Sequence, residues 1–261
     1  MILYVLSPAL IGGSLYRTTV TVDTAFGLLI GFFLISICLY LIVKLIAKVI
    51  NLSSVLETSL TATTLFPNNG NMGLSVVTFA FGSQGLERAI IYMIGSSILM
   101  YTFAPALLQG KGLFTGLKLT FRLPLIWAIL AGLTLRLLQI KLPFNLDPAV
   151  AQLGNSAIPL MLLLLGIQLA TTKFRLSVQE TLAASLRLIV APIIAYSIAK
   201  FLRLEGLDLQ VLVLQSSMPT AVSSIVLVNE FGGNTGFVAR TIVISTLLAF
   251  VTLPIILSLP I

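Results

Sequence analysis

Apolar runs separated by short polar interruptions fill the chain from one end to the other. Cutting at the interruptions leaves nine runs close to the roughly 20 residues a helix needs to cross a hydrocarbon core. They lie at 2 to 20, 24 to 43, 54 to 81, 88 to 108, 119 to 138, 149 to 170, 178 to 199, 208 to 230 and 237 to 259. Within a run the apolar residues are consecutive, as in "PLMLLLLGIQLA" from Pro159 to Ala170. Strands of a membrane barrel would alternate instead. The predicted fold class is an all-α membrane protein.

The third run breaks this regularity with "LFPNNGNMG", Leu65 to Gly73, and the eighth does so with "SSMPTAVSS", Ser216 to Ser224. Proline lacks the amide proton that a helix interior uses and its ring clashes with the preceding turn; glycine weakens the helix further. Both runs are therefore predicted to be two half-helices joined by non-helical backbone. In a bilayer such backbone must face protein or a wet cavity. The freed helix N-termini carry partial positive charge and unpaired N–H groups, which suits a carboxylate.

The two breaks belong to a longer correspondence. Pro8 pairs with Pro159, Pro67 with Pro219 and Pro105 with Pro254, each about 150 positions apart, and "GSQG" at Gly82 pairs with "GNTG" at Gly233 in the same register. This divides the chain into a first repeat, 1–110, with four runs, and a second, 111–261, with five. An odd number of crossings inverts the second copy relative to the first, the plan of many secondary transporters. The counterpart of run 119 to 138 would fall upstream of Met1, so the first helix of the first repeat is expected to be missing from this sequence. Without it, the small residues Ala9, Gly12 and Gly13 are expected to face lipid or a second protomer in a homodimer.

Composition agrees with a bilayer protein: 58% of the 261 residues are hydrophobic and 9% are charged. The net charge of +7 comes from basic residues scattered singly between runs, so topology explains it and nucleic acid is not an expected partner. Lys44, Lys48, Lys111, Lys118, Arg122, Lys173, Arg175 and Arg240 fall on one side. Arg17, Arg88, Arg136, Lys141, Lys200 and Arg203 fall on the other. The larger set marks the cytoplasmic side and places Met1 inside.

Three blocks, "NNGNMGLSVVTFAFGSQGLERA", "LGNSAIPLMLLLLGIQLA" and "SMPTAVSSIVLVNEFGGNTGFVARTIVISTLLAFVTLP", resemble the corresponding segments of the auxin efflux carrier family. That family includes plant auxin exporters and bacterial transporters of malonate-like or malate-like anions. The resemblance implies ten helices in two inverted five-helix repeats with crossed broken helices. It implies substrate contact by Pro67, Asn68, Asn69 and Asn71 in the first break and by Pro219, Thr220 and Ser223 in the second. Asn155 and Ser156 would lie on the flanking helix. The substrate implied is a small organic anion carried across the cell's inner membrane, with no cofactor and no metal.

Other functions fit the residues less well. The chain has no histidine and one cysteine, Cys38, so acid-base, metal or disulfide chemistry lacks its usual groups and an enzyme is not expected. A sodium-coupled symporter of the bile-acid type shares the crossed plan, and carbonyls and Asn or Thr oxygens at the breaks are potential sodium ligands. A non-transporting membrane subunit is a third reading, suggested by the short start. Among ionisable residues, Glu57 and Glu230 are placed at solvated helix ends. Arg187 lies well inside its run, either snorkelling or serving a structural or anion-attracting role.

Overall fold

In the computed structural model the described residues are 1–104, 121, 123–171 and 178–260. Pro105, the linker cations Lys111, Lys118 and Arg122, and Lys173 and Arg175 lie outside them.

The described chain is helical, and its one extended pairing is an isolated bridge between Pro67 and Thr220. Helix α1, residues 2–17, opens with the π-helical turn Ile2–Leu6 and continues as Ser7–Arg17. Helix α2, Val22–Val49, starts at Thr21, whose hydroxyl accepts the Thr24 N–H at 3.3 Å. Helix α3, Ser54–Leu65, is likewise capped by Ser53. After the first break come α4, residues 69–81, and α5, residues 83–103, separated by Gly82 at φ +65°. An L side chain would be strained at that φ, so glycine here makes the turn.

Helix α6 is Pro124–Leu137, α7 is Leu146–Thr171, and α8 runs over residues 178–201 with the π-helical turn Leu186–Val190 inside it. Helix α9, Gly206–Ser216, leads into the second break. Helix α10, Ser224–Phe231, ends on Gly232 at φ +80°. Helix α11, Thr235–Ser258, begins at Asn234, whose Oδ1 accepts the Phe237 N–H at 2.9 Å.

By length and apolarity four helical stretches among the described residues suffice to cross a membrane: Val22–Val49, Pro143–Ile167, Val178–Phe201 and Thr235–Ser258. The half-helices are shorter and carry more polar residues. Helix α3 buries a run of hydroxyls, and it does so without orphaned donors at Ser59, Thr61 and Thr63. Each of these donates to a carbonyl of its own helix, at 2.7, 2.8 and 3.0 Å. That back-bonding lets a Thr-rich segment be buried among apolar neighbours.

Packing separates two groups. Helix α1 lies against α6 and α7, while α2 to α5 and α8 to α11 pack mainly on one another. The small residues of α1 are not left open, contrary to the expectation above. A Cβ at Gly132 of α6 would come 2.4 Å from the Gly12 carbonyl oxygen, and Gly13 lies against Val150 of α7. Gly154 of α7 faces the backbone of Ala9 and Leu10. The glycines are used for close helix contact within the chain.

Ionic contacts gather at two ends. Arg17 pairs with Asp147, Arg88 with Asp208, and Glu87 accepts from Thr18 Oγ1 and Thr19 N at 2.9 Å each. At the opposite end Lys44 pairs with Glu57, and Arg240 with Glu180 at 2.6 Å. Glu57 thus sits at a helix end with a basic partner, and Glu230 is exposed.

Candidate functional site: the crossing of two broken helices

The local cause of each break is legible. Phe66 precedes Pro67 and takes an extended conformation, φ −106° and ψ 97°, as the residue before a proline prefers. The freed backbone groups then find partners on the other break. Asn68 N donates to Pro219 O at 2.7 Å and Ala221 N donates to Phe66 O at 2.8 Å. Two short extended segments, each from a different half of the chain, thereby satisfy one another in the interior.

The four half-helix ends sort by polarity around this bridge. The C-terminal ends of α3 and α9 meet Arg187, whose side chain is 1% exposed. Its Nη1 donates to Thr64 O at 2.8 Å, its Nε to Met218 O at 3.0 Å, and its Nη2 to Ser216 O. Beside it Tyr92 Oη and Ser216 Oγ share a hydrogen bond of 3.0 Å. Arg187 therefore does not snorkel; its guanidinium is spent on the carbonyls of the crossing. The π-helical turn that carries it lies just before Pro192, which has no amide proton to continue the ladder.

The N-terminal ends of α4 and α10 open instead on a cavity of about 380 Å³. Its walls combine the two breaks with Ser7 and Ile11 of α1, Leu125 of α6, Met161 of α7, and Met93, Ser96, Ser97, Met100 and Tyr101 of α5. No lining residue is charged. Asn68 and Asn69, 4% and 6% exposed, are among the cavity walls, and the Nδ2 groups of both are buried without a hydrogen-bond partner. The N-termini of α4 and α10 add partial positive charge through their helix dipoles, although the first three N–H groups of α10 already donate to the carbonyls of Ala221, Val222 and Ser223.

The residues expected to bind substrate separate into three groups. Pro67, Asn68, Asn69, Asn71 and Ser223 line the cavity. Pro219 and Thr220 are not among its walls, and Thr220 is already committed: its Oγ1 donates to Thr63 O at 2.9 Å and its N to Ser245 Oγ at 3.2 Å. Asn155 and Ser156 are not brought to the cavity. On α7 the inward stripe is Gly154, Ala157, Ile158, Met161 and Leu165, spaced three or four apart, so Asn155 points outward and Ser156 Oγ bonds to Leu153 O at 2.7 Å. Met161 of that stripe is a cavity wall.

Sequence reasoning passed over other members. Tyr92, Gln215 and Thr64 are buried around the crossing, and the Gln215 amide and Thr64 Oγ1 have no partner there. Glu180, 1% exposed and paired with Arg240, was also not singled out. The signal was available only in part: a glutamine one residue before "SSMP" and an acid in an apolar run.

Comparison with known proteins shows the family. A family model described as "Membrane transport protein" matches residues 111–257. A protein of Methanothermobacter thermautotrophicus named "Uncharacterized transporter" is 36% identical over 202 residues, covering 75% of this chain and 66% of its own length. The Escherichia coli protein named "Uncharacterized transporter YfdV" is 27% identical over 199 residues, 72% of this chain and 63% of its own. A Rhizobium meliloti protein that bears the name "Putative malonate transporter" is 24% identical over 199 residues, 72% of this chain and 62% of its own. The chain thus spans a little under two thirds of the length of these relatives. With more than half of the chain matched by the family model, it belongs to the membrane transport protein family, the auxin efflux carrier family that its sequence blocks resemble.

Proposed function

We propose that this chain is a carrier of a small organic anion, with a mono- or dicarboxylate as the substrate class, in the inner membrane of the cell. The observation that carries the reading is that Asn68 and Asn69, two wall residues of a neutral cavity at the starts of two helices, bury amide nitrogens that have no hydrogen-bond partner. Buried N–H donors without acceptors are costly, and a carboxylate supplies acceptors that helix N-termini favour. The name of the Rhizobium relative supports malonate as the first compound to try.

In this reading the chain crosses the membrane nine times. It forms two inverted repeats, 1–110 and 111–261, with α3 and α4 as one broken span and α9 and α10 as the other. The antiparallel bridge between the breaks and the glycine turns at Gly82 and Gly232 support it. The helices α1, α6 and α7 then form one wall of the cavity and the crossed bundle the other, so rocking of one against the other exposes the site to alternate sides. The end holding Lys44 and Arg240 is cytoplasmic on the count of basic residues.

Reconstituted protein assayed against a panel of mono- and dicarboxylates and indole acids tests the reading. Saturable binding of at least one, weakened in Asn68→Ala/Asn69→Ala, is expected. Absence of binding across the panel by a correctly folded chain would overturn it.

A further inference from the structure

We infer that Arg187 is a resident cation of the crossing, filling the carbonyl cage in which a coupling sodium ion would otherwise sit, so that substrate binding by this chain does not depend on sodium. The inference rests on the anion-carrier reading for its consequence in transport, but its structural basis stands apart from it.

Three backbone carbonyls converge on the guanidinium: Thr64 from the end of α3, Ser216 from the end of α9, and Met218 from the second break. Backbone oxygens of this kind, at unwound segments and half-helix C-termini, are the groups that hold Na⁺ in crossed-helix carriers. Each helix C-terminus carries about half a negative charge, so two together match a single cation. No Asp or Glu forms a salt bridge with Arg187 among the described residues; the acid on its own helix, Glu180, pairs with Arg240. The neutralising charge is thus covalently attached, buried and held by three bonds, and it does not leave when substrate does. A planar guanidinium also spans carbonyls from separate segments, which a single point charge on a lysine does less well. Arg187 is a positioning residue: it joins the two C-terminal ends and so sets where the N-terminal ends meet on the cavity.

The test needs no substrate. Thermal unfolding of the purified full chain is followed in sodium chloride and in choline chloride of equal concentration, for wild type and for Arg187→Ala. Wild type is expected to unfold at the same temperature in both. Arg187→Ala is expected to unfold lower in choline and to be shifted upward by sodium, the ion entering the vacated cage. A purely structural arginine would give a loss that sodium and choline leave equal, and that result overturns the inference. A sodium-specific shift in wild type overturns it as well. Should Arg187→Ala resist purification in both salts, the wild-type comparison decides alone, extended to malonate binding, where sodium and choline should give equal affinities. Failure of every carboxylate to bind would remove the carrier reading while leaving the response of Arg187→Ala to sodium unaffected.

Discussion

Pro67 and Thr220, more than 150 positions apart in sequence, face each other across a two-bond antiparallel bridge in the interior of a helical protein. The bridge is what makes two broken helices compatible with burial. Each break frees backbone groups that its own helix cannot satisfy, and each supplies the partner the other needs.

Removing both unpartnered amides, in Asn68→Ala/Asn69→Ala, should weaken anion binding without loss of stability. A hydrogen bond to a charged group contributes about 1.5 to 3 kcal/mol, or roughly tenfold to a hundredfold in affinity per group. Because neither Nδ2 has a partner in the protein, the thermal midpoint should hold or rise. Titration calorimetry and a melting curve on the same preparation measure both; wild-type affinity in the double variant would refute the assignment.

Thr220→Val should behave in the opposite way. Its hydroxyl is spent on Thr63 O and does not line the cavity, so the change strips a buried carbonyl of its donor. A cost of about 1 to 3 kcal/mol in stability is expected, with a smaller change in affinity than at Asn68 and Asn69. Comparing melting and binding for the two sites distinguishes a bridge residue from a ligand.

Pro67→Ala should cut transport more than stability. Alanine restores an amide proton and releases Phe66 from its extended conformation, which lets α3 lengthen and draws the N-terminus of α4 away from the cavity. Uptake into vesicles, set beside the melting temperature, checks this; normal uptake would mean that the proline is dispensable to the site.

Gly132→Ala tests the wall formed by α1 and α6. The added Cβ would lie 2.4 Å from Gly12 O, against backbone that cannot swing aside, so the helices must separate. Overpacking of this kind costs about 1 to 3 kcal/mol. A lowered melting temperature is expected, and a compensating Gly12 change cannot rescue it because the clash is with the main chain.

How much was legible in advance follows from the range of each interaction. Local sequence determined that this is a helical membrane protein, since apolar run length and the absence of alternation depend on neighbours alone. It also located both helix breaks, because proline acts on its own turn: the observed ends at Leu65 and Ser216 and the restarts at Asn69 and Ser224 fall within the quoted segments, the first break being shorter than its segment because Asn69–Gly73 is already helical. Blocks of residues around those breaks were enough to recognise the family.

What tertiary structure alone decided was the use of each polar group. Asn68 and Thr220 look alike as small polar residues beside a proline, yet one lines the cavity with its amide nitrogen unpartnered and the other spends its hydroxyl on a carbonyl 157 positions away. Asn155 sits one residue from the inward face of α7, and that one-residue step turns it out of the site. Arg187 could not be assigned from its own segment, because all three of its acceptors belong to other elements. Periodicity and proline chemistry act within a few residues and can be read along a line, whereas hydrogen-bond partners brought together by folding exist only in three dimensions.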